Sequence, residues 1–164
     1  MKNIFSLKIK GKIPAFNKTI SVEGDKSISH RALLLASQST GISKIKGILE
    51  SEDVLSTINA LKQLGVRIIK SKGEYLVYGN GLNSFHTKKN IKINANNSGT
   101  LARLLMGLLS TYDNKFKVVG DRSLNKRPMQ RIIKPLEKVG CFFFPKEKSS
   151  LPITIMGTDM PLAQ

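Results

Sequence analysis

One order of secondary-structure signals occurs twice in this chain, about 72–75 residues apart, and it narrows the possible folds more than composition does. In the first copy the pattern predicts a strand at Lys18–Val22, a helix at Ser29–Ser37 and a strand at Ser43–Ile48 that ends near Gly47. A second helix follows. Val54, Leu55, Ile58, Leu61 and Leu64 share one face at helical spacing, with Ser51 as N-cap, Glu52 and Asp53 in the first turn and Gly65 at the stop. Strands at Val66–Lys70 and Tyr75–Tyr78 then flank a turn at Lys72 and Gly73. The second copy repeats the order: strand Ile91–Asn94, helix Thr100–Ser110, strand Phe116–Val119 before Gly120, helix Met129–Val139, and strands Cys141–Phe144 and Ile153–Ile155. Arg31 aligns with Arg103, Gly47 with Gly120, and the run from Leu61 to Val66 with that from Leu136 to Cys141. A single β-α-β-α-β-β unit leaves its helix faces uncovered, so the copies are expected to stack on one another. Pro135 lies within the last helix, where its missing N–H is expected to kink or loosen a turn.

At 164 residues with 40% hydrophobic content, the chain has enough apolar material for a core. Its formal charge of +16 calls for an anionic partner, whether polyanion, membrane surface or small charged substrate. The lysines are spread along the chain, and the aromatic residues (seven Phe, three Tyr, no Trp) are too few to interleave as base-stacking platforms, which argues against nucleic acid. The longest apolar helical run, Ala32–Ala36, is too short to span a bilayer, and no apolar segment follows Lys2, so neither membrane insertion nor export is expected. The lone Cys141 excludes an internal disulfide and fits a reducing cytoplasm; between Gly140 and three phenylalanines it reads as a buried inert thiol. His30 and His86 stand too far apart from other ligands to suggest a metal.

Three segments carry the chemistry. Gly24 to Arg31 reads G-D-K-S-I-S-H-R at a strand-to-helix junction, where unpaired backbone N–H groups join the Lys26 ammonium, the Ser27 hydroxyl and the Arg31 fork. A phosphate or carboxylate suits such a place, although an ordinary N-cap by Asp25 or Ser27 with solvated cations explains the segment alone equally well. Asn96-Asn97-Ser98-Gly99-Thr100, with Arg103 one turn in, opens the matching helix of the second copy; Gly99 lets a ligand approach the backbone, and Asn97 and Thr100 offer hydrogen bonds. The third segment, Gly120 to Met129, places Pro128 as the expected first helical residue and Arg127 just before it at a stiff helix start. Arg122 and Arg131 read as solvated surface arginines.

The ordered motifs G-D-K-S-I-S-H-R-A-L-L-L-A, E-S-E-D-V, N-S-G-T-x-x-R-L and G-D-R-S-L-x-x-R-P-M resemble those of 5-enolpyruvylshikimate-3-phosphate synthase, or 3-phosphoshikimate 1-carboxyvinyltransferase, from about Lys18 onward. UDP-N-acetylglucosamine enolpyruvyl transferase is a weaker match, because it has Lys-Asn where this chain has Lys26-Ser27, and a loop cysteine that this chain lacks. The resemblance implies an α/β fold of repeated β-α-β-α-β-β units, the inside-out α/β barrel of enolpyruvyl transferases, with two of the usual units present: 18–81 and 90–157. Residues 1–17 would then be a strand segment belonging to the other domain, and 18–164 part of one domain. The implied reaction moves the enolpyruvyl group of phosphoenolpyruvate to the 5-hydroxyl of shikimate 3-phosphate, in the shikimate pathway that leads to chorismate, with no metal or organic cofactor. The resemblance gives Lys26 a catalytic role in contact with both substrates. It assigns shikimate 3-phosphate to Lys26, Ser27 and Arg31, and phosphoenolpyruvate to Lys26, Asn97, Gly99, Thr100 and Arg127. Partners are expected to be these two small anions, with no nucleic acid and no membrane, in a cytoplasmic enzyme that is a monomer at full length.

Two departures qualify the match. Leu104 follows Arg103 where the family usually has proline. Family members are more than twice as long, and Leu162-Ala163-Gln164 is not their Ser-Ser-Gln phosphate-binding segment, so the sequence reads as an N-terminal portion, expected to be inactive alone. A basic module that binds anions or nucleic acid without turnover is the reading from a different class.

Overall fold

Val54, Ile58, Leu61 and Leu64 of the stripe read from the sequence are buried, and two helix stops fall on glycines with positive φ, Gly65 and Gly140. The computed structural model describes residues 8, 10–12, 15, 17–85 and 91–162. In order, these form α1 (Lys26–Gln38), β1 (Thr40–Lys46), α2 (Glu52–Gln63), β2 (Arg67–Ser71), β3 (Glu74–Asn80), β4 (Ile91–Asn94), α3 (Gly99–Leu109), β5 (Lys115–Val119), a 3-10 turn (Leu124–Lys126), α4 (Gln130–Lys138), β6 (Phe142–Phe144) and β7 (Ile153–Met156). The fold is α/β.

Strands β1, β3 and β2 form an antiparallel sheet in that order, and β4, β5, β7 and β6 form a second in which β4 runs parallel to β5. Strand for strand, β5-β7-β6 repeats β1-β3-β2. The tight turn between β2 and β3 uses Lys72 and Gly73, both at positive φ, as the sequence indicated. Both second helices stop in the same way. Gly65 and Val66 donate to Lys62 and Leu61, and Gly140 and Cys141 donate to Glu137 and Leu136, so paired bonds close the helix end around a left-handed glycine.

The copies share one core. Leu33, Val54, Leu61 and Val77 of the first copy join Leu101, Leu105, Phe116 and Ile155 of the second in a continuous cluster. Phe85, between the copies, stacks on Tyr112 at 5.4 Å, and its N–H donates to the Tyr112 hydroxyl at 3.2 Å. Asn96 crosses from the second copy to donate to Ser56 Oγ on α2 at 2.8 Å.

Four sequence expectations need correction. No strand forms at 18–22; Ile20 and Val22 are 80% and 81% exposed. Alternation satisfies local strand propensity there, but this segment makes no ladder with the largely exposed β1, whereas β4 pairs in parallel with β5. Leu55 is 39% exposed while Val54, Ile58, Leu61 and Leu64 are buried, because it lies at the edge of the α2 apolar stripe. Pro128 is not the first helical residue: a 3-10 turn precedes it, it bridges to Ser150, and α4 begins at Gln130 and continues through Pro135 to Lys138. Finally, the N-caps of α1 and α3, Asp25 and Ser98, are 73 residues apart, as are Gly47 and Gly120, so His30 rather than Arg31 is the counterpart of Arg103. The motifs alone suggested a register one residue different. His86 lies outside the described residues.

Candidate active site

A helix start with no acidic residue in its first turn leaves its positive end for another anion. That is the condition of α3, whereas α2 carries Glu52 and Asp53 in its first turn and α1, with no acidic residue in its first turn, is capped by the Asp25 carboxylate. At α1 the chain arrives through Gly24, where a Cβ would stand 1.9 Å from the Gly47 carbonyl oxygen, so only glycine fits against that backbone. Asp25 caps the helix, its Oδ1 accepting from Ile28 N–H at 2.8 Å. The Ser29 hydroxyl donates to the Asp25 carbonyl and accepts from Leu49 N–H, which ties the helix start to the end of β1. Lys26 is the first helical residue, and its Nζ lies 2.9 Å from Asp53 Oδ2 on α2. Ser27 and Arg31 are exposed beside it, with the Arg31 guanidinium donating to the Ser27 carbonyl at 3.0 Å.

At α3 the Ser98 hydroxyl caps the helix by accepting from Leu101 N–H. Gly99 is buried, and Thr100 is half-buried next to it. A Cβ at Gly99 would meet one guanidinium nitrogen of Arg103 at 3.1 Å and one of Arg127 at 3.3 Å. Two cationic forks therefore converge over the first residue of α3. Among the described residues neither forms an ion pair within 4 Å. Arg103 donates instead to the Pro128 carbonyl at 3.2 Å, and its buried Nε has no protein partner. Arg127 ends the 3-10 turn in the extended conformation that a following proline demands, and its Nη2 lies 3.4 Å from Asn97 Oδ1. Like-charged groups held together without a carboxylate are at their most stable when an anion lies between them.

A cleft of about 420 Å³ is lined by Glu52, Asp53, Leu55, Ser56 and Asn59 of α2 and by Asn96, Asn97 and Asp121 of the second copy. Asp53, the partner of Lys26, is on one wall; Asn97, the partner of Arg127, is on the other. Neither Lys26 nor Arg127 lines this cleft; each reaches it only through its partner. Asp53 and Asp121 were missed as site residues by sequence reasoning. Asp53 reads locally as a helix-dipole complement, and its pairing with a lysine 27 positions earlier has no local signal.

His30, on the buried face of α1, has Nδ1 2.6 Å from the Thr57 hydroxyl and leaves Nε2 without a partner. Burial lowers its pKa, opposed by Asp53 and reinforced by Lys26 and Arg31. Cys141 is buried with its thiol directed at the Ser110 carbonyl, and burial raises its pKa, so it is not poised as a nucleophile. Among the described residues no group of three or more His, Cys, Asp or Glu could hold a metal, and no helix is long and apolar enough to cross a membrane.

Comparison with known proteins gives this geometry a context. The family described as EPSP synthase (3-phosphoshikimate 1-carboxyvinyltransferase) matches residues 11–163. The chain is 45% identical over 157 residues to the 3-phosphoshikimate 1-carboxyvinyltransferase of Oenococcus oeni, covering 96% of this chain and 35% of that protein. It is 46% identical over 144 residues to that of Petrotoga mobilis, covering 87% and 33%. The solved EPSP synthase from Acinetobacter baumannii superposes with a TM-score of 0.77 at 38% identity, over 84% of this chain and 32% of that one. The chain spans about a third of the length of the curated relatives it matches.

Proposed function

Because the chain belongs to the EPSP synthase (3-phosphoshikimate 1-carboxyvinyltransferase) family, we propose that it supplies one wall of an active site that transfers the enolpyruvyl group of phosphoenolpyruvate to the 5-hydroxyl of shikimate 3-phosphate. The observation that carries this reading is the pair of guanidinium groups over Gly99, at the acid-free start of α3, with neither of them in an ion pair among the described residues.

Both substrates are multiply anionic and repel one another, so the first task of the site is to hold them in contact. Lys26, at the start of α1, touches both, which requires its ammonium to exchange Asp53 for substrate oxygens. Ser27 and Arg31 hold shikimate 3-phosphate on the same helix start. Arg127 and the backbone at Gly99 hold phosphoenolpyruvate, with Asn97 and Thr100 shaping that pocket. The 5-hydroxyl loses its proton to a base as its oxygen bonds to C2 of phosphoenolpyruvate and a proton adds to C3. Elimination then removes a C3 proton and breaks the C2–O bond to phosphate. The fixed cations stabilise the charge that develops on the departing phosphate. Proton-transfer groups are expected from residues beyond this segment, as is the full complement of repeat units around 18–81 and 90–157, with 1–17 contributing a strand to another domain. The +16 charge serves small anions rather than nucleic acid in this reading, in a cytoplasmic enzyme that is monomeric at full length and needs no cofactor.

Lys26→Met in the complete enzyme is expected to lower kcat/KM by about 100-fold to 1,000-fold or more, because it removes a charge that contacts both anions. Initial rates of phosphate release at subsaturating substrate concentrations measure it. A loss of less than about fivefold would remove Lys26 from the reaction and the reading with it.

A further inference from the structure

Asp121 holds no place in the ligand assignments above, yet it touches each part of the Arg127 site. Its Oδ1 accepts from Leu124 N–H at 2.7 Å, at the start of the 3-10 turn. Its Oδ2 accepts from Asn97 Nδ2 at 2.6 Å. Asn97 in turn directs Oδ1 at Arg127, 3.4 Å away. The 3-10 turn ends on Arg127, whose N–H donates to the Leu124 carbonyl at 3.0 Å. One carboxylate therefore reaches Arg127 by two routes: to its backbone through the turn, and to its guanidinium through an amide.

The chemistry at position 121 is demanding. Leu124 N–H and the Asn97 amide NH2 are both donors, and only a side chain with two acceptor atoms satisfies both. An Asn97 whose NH2 is engaged by Asp121 must turn its carbonyl oxygen toward Arg127. Reversed, it would set donor against donor. We propose that Asp121 is a positioning residue for phosphoenolpyruvate, acting through the Asn97 amide and the 3-10 turn to hold the Arg127 guanidinium over Gly99. The proposal rests on Arg127 being a phosphoenolpyruvate ligand. The Leu124 N–H and then the Asn97 amide hold the Asp121 carboxyl below the usual carboxylate range, which keeps both oxygens available as acceptors at neutral pH.

Asp121→Asn separates this role from simple turn capping. Asparagine retains one oxygen for Leu124 N–H, so the turn survives, but its NH2 now faces the Asn97 NH2 and forces that amide to reverse. Steady-state kinetics of the complete enzyme would compare D121N, D121A and R127A with wild type, varying each substrate in turn, alongside thermal melts. D121N is expected to raise the KM for phosphoenolpyruvate about tenfold, to leave the KM for shikimate 3-phosphate within about twofold, and to melt close to wild type. D121A should raise the same KM and also lower the melting temperature, because the cap is lost as well. A wild-type KM in D121N overturns the proposal, as does a parallel rise for both substrates, or a melting temperature lowered as far in D121N as in D121A. An R127A enzyme with unchanged KM for phosphoenolpyruvate would remove the assignment of Arg127 and this proposal together. A raised KM in R127A with none in D121N would remove the proposal alone.

Discussion

The two copies of the unit build similar helix starts and equip them differently. In the first, the cation is a flexible lysine paired with a carboxylate, and the backbone beneath it is locked: Gly24 presses on Gly47, and Ser29 joins two segments. In the second, two arginines converge without a carboxylate, and the tight contacts at Gly99 are with side-chain ends rather than backbone. The sheets differ in the same sense. The second has four strands, with Phe116 and Val118 fully buried, while the first has three and leaves Ile20 and Val22 exposed. A repeated fold can thus give one helix start a displaceable cation and the other a fixed anion clamp. That division suits a site that must receive two anions.

Alanine at each of the two glycines is the sharpest way to break this contrast. At Gly24 the added Cβ would collide with the Gly47 carbonyl and approach Leu49 N–H at 3.2 Å, both rigid backbone atoms, so Gly24→Ala is expected to cost about 3 kcal/mol of stability by chemical denaturation. At Gly99 the nearest atoms are guanidinium ends that can swing aside. Gly99→Ala is therefore expected to keep stability within about 0.5 kcal/mol of wild type and to weaken phosphoenolpyruvate affinity about tenfold, measured as KM in the complete enzyme. Equal losses of stability at the two positions would erase the distinction.

The smallest expected effect concerns the buried ring in the first copy. His30 has a lowered folded-state pKa, so above its unfolded value near 6.5 it contributes its full stability, and that contribution declines as pH falls from there toward the folded pKa. Urea unfolding from pH 8 to pH 5 should show an acid limb that His30→Gln flattens. An identical limb in the variant would place the acid sensitivity elsewhere.

Local signals made most of this fold legible. Helix stops at Gly65 and Gly140, caps at Asp25 and Ser98, and the turn at Lys72 and Gly73 are decided within a few residues, and each could be read from the sequence. Ser51 precedes α2 as expected, although its hydroxyl makes no capping bond. The alternation at 18–22 indicates a strand, but a strand also needs a pairing partner, which local pattern does not reveal, and β1 pairs with β3 instead. Arg103 was paired with Arg31 by motif similarity, while the caps set the true register one residue away. Asp53 and Asp121 escaped notice because each meets its partner across 24 or more positions, Lys26 in one case and Asn97 in the other.

The central claim is that cations from the two copies meet on shared substrate, and a structure of the complete enzyme with phosphoenolpyruvate and shikimate 3-phosphate bound tests it most directly. The account expects the Lys26 ammonium and the Arg127 guanidinium at about 3 Å from oxygens of the same phosphoenolpyruvate molecule, with Asp53 released from Lys26. Phosphoenolpyruvate bound against only one of the two helix starts, with the other cation beyond about 6 Å, would contradict it.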